Sequence, residues 1–281
     1  MTDVKAPPEI FDTRLLTLRR ARAAKRKSSF LMQRAISDAA DRLLDVNRDF
    51  GKVLILGASS IKAELISKLP KEKLTKIICC ETLEQLPQDD NFDLILSLLC
   101  LQSENDLPGA IIRLRQKLKP DGLFIAAIFG GDTLTELRQV FYKTDEDIIG
   151  GLGPRIYPMA NYTQAAGLLS RAGLNQPVVD TDRFMVSYGK LETLISDLRD
   201  LGETNVLTAQ RKATVPRCYI EELGRNYAAL YPTKNGKLPC SFEILWMTGW
   251  IPHESQQKPL KPGSAKMSLK EGVETAVRKN R

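Results

Sequence analysis

Histidine is almost absent from this chain. Its 281 residues contain one, His253. A Ser-His-Asp or Cys-His triad would depend entirely on that position, and a multi-histidine zinc site is excluded. The five cysteines, at 79, 80, 100, 218 and 240, form no C-x-x-C pair. They read as buried free thiols of a reducing cytoplasm. There is no Walker-type phosphate loop and no kinase signature, so hydrolase and kinase readings fall away. No apolar run approaches the roughly 20 residues of a membrane-spanning helix. The opening MTDVKAPPEIFD has neither the apolar core of a secretory signal nor the acid-free character of a transit peptide. These features together predict a cytoplasmic protein. Hydrophobic content of 43% and charged content of 27% are those of an ordinary globular domain, with a net charge of +7.

What the chain does have is a compact strand–helix–strand unit at residues 91–130, NFDLILSLLCLQSENDLPGAIIRLRQKLKPDGLFIAAIFG. Residues 92–99 are an almost unbroken apolar run, the mark of a strand covered on both faces. Ile111, Ile112, Leu114 and Leu118 give the following helix a buried stripe, and Pro120-Asp121-Gly122 turns the chain into a second strand, 123–129. Upstream, KVLILGASS (52–60) is a strand running into a turn, then a helix (about 61–69), a strand (74–80) and an acidic loop (81–90). This alternation specifies an α/β fold with a doubly wound sheet.

Residues 14–27, RLLTLRRARAAKRK, carry seven positive charges and no acid. They form a helix whose basic face is either simply solvated or meets an anionic partner, nucleic acid or acidic protein. A second helix spans about 30–47. Beyond Gly130, Thr133 and Glu136 are placed to cap a helix through Tyr142. Residues 150–154, GGLGP, form a loop able to act as a lid. Helices follow at 161–172, 191–201 and 219–231, with strands at 177–181 and 242–250. The domain reading is a basic helical arm (1–50), an α/β domain with accessory helices (51–255) and a flexible Lys-rich tail (256–281).

The segments IFD…LRRARA, DAADRLLDVNRDF, NDLPGAIIRLRQKLKPDGLFIAAIFGGDTLTELR, LISDLRDLGETN and FEILWMTGWIPHES jointly resemble one family. It is the methyltransferase-like complex I assembly proteins, which include a protein-arginine hydroxylase and are related to the malonyl-carrier-protein methyltransferase of biotin synthesis. The resemblance runs from Ile10 to about Ser255. It implies a class I methyltransferase fold, S-adenosylmethionine as cofactor, and a protein partner such as a complex I subunit.

It also implies site residues. Gly57, Ala58 and Ser59 would line the methionine end of the cofactor, and Glu81 would hold the ribose or be a plain strand-end acid. Asn91 and Asp93 would sit by the adenine, and Leu99 to Gln102 would floor the reacting centre. Several positions depart from the family pattern. Ile55 stands where an acid is expected, and Ser59 and Ile61 replace two glycines of a G-x-G-x-G turn that needs freedom at positive φ. Gln102 and Ser103 replace a His-Trp pair, and the interval 57–92 is short by one βα unit. The expectation is a methyltransferase-fold protein that modifies or chaperones a protein substrate with weakened cofactor binding. A non-catalytic assembly factor and an RNA methyltransferase are the alternatives.

Overall fold

A computed structural model describes residues 9–26, 29–57, 66–88, 91–210, 215–216, 218–257, 263–264, 268 and 271. Among them six strands form one sheet: β1 (Phe50–Leu56), β2 (Leu74–Cys80), β3 (Phe92–Leu98), β4 (Leu118–Phe129), β5 (Asn175–Tyr188) and β6 (Leu238–Trp250), in the order β2-β1-β3-β4-β6-β5. The first four are parallel, while β6 runs antiparallel between β4 and β5. This is the doubly wound methyltransferase-type sheet that the sequence predicts. Among the described residues one strand, not two, lies between β1 and β3, and β2 is the edge of the sheet there.

The apolar runs of β1 and β3 are continuous because both faces of the sheet are covered. Val53, Ile55, Leu94, Leu96 and Leu98 pack on one side with helices α2 (Phe30–Asp45), α4 (Thr135–Ile149), α6 (Leu191–Leu201) and α7 (Cys218–Leu230). Leu54, Leu56, Phe92 and Ile95 pack on the other with α3 (Leu107–Gln116) and α5 (Tyr162–Arg171). Helix α2 is part of this core: Leu31, Ala35, Ile36, Ala39 and Leu43 are fully buried. Arg34 clamps its outer side to Asp182 of β5 at 2.8 and 2.9 Å.

Several local expectations are corrected. Thr133 and Glu136 do not form a capping box. Helix α4 starts after Leu134, which is left-handed and makes no side-chain cap. The two side chains instead bind the neighbouring strand: the Thr133 hydroxyl donates to the Glu243 carbonyl at 2.9 Å, and Ser241 donates twice to the Glu136 carboxylate. Tertiary hydrogen bonds outcompete the local cap. Pro120-Asp121-Gly122 is a bulge inside β4, where the register with β3 slips between Phe92 and Leu94. Strand β5 runs from 175 to 188, well beyond 177–181, and Cys218 is exposed rather than buried. The helix expected at 61–69 lies mostly outside the described residues.

Candidate functional site

The order of the sheet reverses between β1 and β3, because the chain moves outward to β2 and then returns to the other side of β1. In open α/β sheets ligands bind at such a switch point, in the crevice beyond the carboxyl ends of the strands. Here that crevice is bordered by Gly57 after β1, by residues 99–104 after β3, by Glu81 after β2, and by helix α1 (Thr13–Ala23) lying across the top.

Gly57 has φ +92°, a value that suits glycine, but the space beside its Cα is already taken. A Cβ built there would stand 2.6 Å from Cys100 Cβ and 2.7 Å from its sulfur. The glycine thus permits a close approach of the chain to itself. Cys100 is fixed by a Ser97 Oγ contact at 3.2 Å. Burial pushes its thiol up to about 11, so it stays neutral near pH 7 and is no nucleophile. Leu99 sits at φ 46°, a conformation that costs a non-glycine residue about 1–2 kcal/mol, and its carbonyl accepts from Gln102 Nε2 at 2.8 Å. Among the described residues Gln102 Oε1 is buried without a hydrogen-bond partner. Gly57→Ala should therefore destabilise the chain by at least about 1–2 kcal/mol from backbone strain alone. A denaturation midpoint equal to that of the wild type would refute this.

The arm is locked over the crevice by its own arginines. Arg20 donates to the Cys100 carbonyl (3.0 Å), to Ser103 Oγ (2.9 Å) and to Glu203 Oε1 (3.1 Å), an ion pair whose side chains are 12% and 5% exposed. Arg19 donates to Thr204 Oγ1 at 2.8 Å and to the Asn205 carbonyl, and Arg26 pairs with Asp200. Asn105 seals the start of the arm, accepting from the Ile10 and Phe11 amides at 2.8 Å each and donating to the Phe11 carbonyl. Part of the basic face is thus neither solvated nor open to an outside partner.

Between α1 and the strand ends lies a cleft of about 730 Å³ lined by Arg14, Thr17, Glu81, Thr82, Ser103 and Glu104. Glu81 therefore reaches this cleft. Gly57, Leu99 and Gln102 follow the same strand ends but lie outside its lining, and Leu99 and Gln102 are buried. Asn91 and Asp93 lie elsewhere. They stand at the amino end of β3, and six residues at ~3.3 Å each separate Asp93 from Leu99. There Asp93 accepts from the Lys52 amide at 2.7 Å and from Lys119 Nζ at 2.8 Å. Burial alone would raise its pKa, but these bonds outweigh it and hold the carboxyl below its ordinary range. Ala58 and Ser59 lie outside the described residues.

On the far side of α6, Asp145 is fully buried and accepts from Arg155 at 2.6–2.9 Å and from the Tyr219 hydroxyl at 2.6 Å. This cluster ties down the 150–154 loop, which Asn205 also grips through the Pro154 carbonyl at 2.9 Å. The sequence reading does not single out Asp145, and it takes Arg20 only as one charge of the basic arm and Cys100 only as a buried thiol within the Leu99–Gln102 floor. Asn105 and Glu203 do fall within the NDLPG and LGETN segments that carried the resemblance.

Residues 52–126 match a family described as a methyltransferase domain. Over most of its length the chain is similar to arginine-hydroxylase NDUFAF5, mitochondrial. The Homo sapiens protein is 36% identical over 286 residues, covering 93% of this chain and 83% of that protein. The Danio rerio protein is 37% identical over 263 residues, covering 86% and 82%. A malonyl-[acyl-carrier protein] O-methyltransferase of Xylella fastidiosa (strain M23) is 37% identical over 164 residues, covering 58% and 53%.

Proposed function

The chain belongs to the arginine-hydroxylase NDUFAF5 family, and from that premise we propose that it serves respiratory complex I assembly by holding a protein partner, with S-adenosylmethionine binding weakened or lost. The observation that carries the reading is Cys100 packed against Gly57, at the turn where the cofactor's methionine end would need room. The fold family implies S-adenosylmethionine, and Glu81 beside Thr82 and Ser103 in the 730 Å³ cleft suits a ribose diol. The remainder does not fit: Asn91 and Asp93 are at the other end of the sheet, and Ile55 replaces the strand-end acid. Arg19, Arg20 and Arg26 point at the chain's own residues, which leaves only Arg14, Arg22 and Lys25 of the described arm as charges that an RNA substrate could meet unpaired with the fold. A reducing, cytoplasmic-type compartment suits the buried free thiols Cys80, Cys100 and Cys240.

Calorimetric titration of the purified chain with S-adenosylmethionine should show no binding in the micromolar range, and micromolar affinity would overturn the reading. Glu81→Ala should still restore assembled complex I in a strain lacking the gene, seen on native gels at matched protein level. A folded, abundant Glu81→Ala chain that fails would put a cofactor-dependent reaction first.

A further inference from the structure

The amino-terminal arm is a wall of two sites at once. Thr13, Arg14, Leu16 and Thr17 line the 730 Å³ cleft at the strand ends. Just before them, Glu9 and Ile10 line a surface groove of about 620 Å³ whose other walls include Arg138, Phe141 and Pro158. Leu207 and Thr208 also line that groove, and the arm holds them in place. The Asp12 amide donates to the Val206 carbonyl at 2.8 Å, and the Thr208 amide donates to the Ile10 carbonyl at 2.9 Å. These bonds close a short antiparallel bridge between Phe11 and Leu207. The Phe11 ring meets that of Tyr157 edge-on at 5.2 Å, and the Tyr157 hydroxyl donates to the Thr204 carbonyl at 2.7 Å. Without the seated arm the cleft loses one wall, and the groove loses Ile10 together with the hold on Leu207 and Thr208.

The way the arm is seated allows it to lift. Of the eleven residues of α1 only Leu16 and Ala23 are buried. Its seat is instead a row of side-chain hydrogen bonds: Asn105 at the start, Arg20 in the middle, and Arg26 with Asp200 and Ser196 at the end. Segments with few buried apolar contacts open at lower free energy than the core, and they open as contiguous units. Helix α1 is about 16 Å long and stiff, so a shift at one end is carried to the other.

We propose that α1 and residues 203–208 form a single strap with two states, seated and lifted, that couples the cleft to the groove. Occupation of either site favours the seated strap and so strengthens binding at the other, a coupling that is reciprocal by thermodynamic necessity. It holds whichever ligand the cleft takes, so it stands or falls apart from the assembly reading.

The test is native-state amide hydrogen exchange of the full chain, read by NMR in urea below the unfolding transition. The Leu16 amide, donated to the Asp12 carbonyl, reports the cleft side, and the Thr208 amide, donated to the Ile10 carbonyl, reports the groove side. In the wild type the two should share one opening free energy, lower than that of Leu96 in β3. Arg26 is 44% exposed where it meets Asp200, so Arg26→Ala releases one end of the strap without opening the core. It should speed exchange at Leu16 and Thr208 by one common factor, about two- to fivefold, the worth of an exposed ion pair. Leu96 should be unchanged. Asn105→Ala should in turn speed Ala24 at the opposite end. Different opening free energies for Leu16 and Thr208, or changes confined to the released end, would mean local fraying and overturn the inference. So would an opening that Leu96 shares, which is global unfolding. If either variant does not fold, the wild-type comparison of Leu16 with Thr208 decides alone.

Discussion

Arg20→Leu should destabilise the protein by about 3–5 kcal/mol, the range for removing one partner of a buried ion pair. The loss is large because three acceptors depend on one guanidinium: the Cys100 carbonyl, Ser103 Oγ and Glu203 Oε1. Glu203 is left as an uncompensated buried charge. Arg22, two residues on and exposed, supplies the control: Arg22→Leu should stay within about 0.5 kcal/mol. Urea denaturation of both variants reads the difference. The Arg20→Leu/Glu203→Leu double variant should be more stable than the sum of the singles predicts, since it removes both charges together. Equal, small effects at Arg20 and Arg22 would mean that the arm does not latch through this pair.

Asp145→Ala should be nearly as costly, about 3–5 kcal/mol, because it strands the Arg155 guanidinium and the Tyr219 hydroxyl at once. It carries a pH signature as well. Burial alone would raise the Asp145 pKa, but hydrogen bonds from Arg155 and Tyr219 outweigh it and hold the carboxyl below its usual value. A depressed folded-state pKa means stability fully present above the unfolded value of about 3.9 and lost as pH falls through the folded value. The wild type should therefore lose more stability between pH 5 and pH 2 than Asp145→Ala does. Parallel acid-denaturation curves would show that Asp145 is not the linked group.

How far the sequence foretold these arrangements depended on the range of the interactions. The apolar runs of β1 and β3 announced strands covered on both faces, and α6 was legible at its full length, 191–201. Both signals are local periodicities. Thr133 and Glu136 misled because a capping box is also a local pattern, and here both side chains are taken up by β6, more than 100 residues away. Asp93 misled for a different reason. A carboxylate near a nucleotide-type crevice is a fair candidate, but its strand position places it at the amino end, where Lys52 and Lys119 begin their strands. Cys100 is legible from sequence only as a buried thiol within the Leu99–Gln102 stretch. That it fills the space beside Gly57 follows from the left-handed turn at Leu99, which no residue type at that position signals.

The arm's anchorage also sets a timetable for synthesis. Its contacts span 83 residues from Arg20 to Ser103, 95 from Ile10 to Asn105 and 199 from Glu9 to Thr208. The arm leaves the ribosome before its partners, and its last anchor is made about 180 residues later. At translation rates of about 5–20 residues per second this leaves it unanchored for roughly 10–40 s. Throughout that interval the seven like charges at 14–27 would repel other nascent arms. The same arginines then become the latch when residues 203–208 arrive, so one stretch of sequence first keeps the growing chain apart from its neighbours and then closes it on itself.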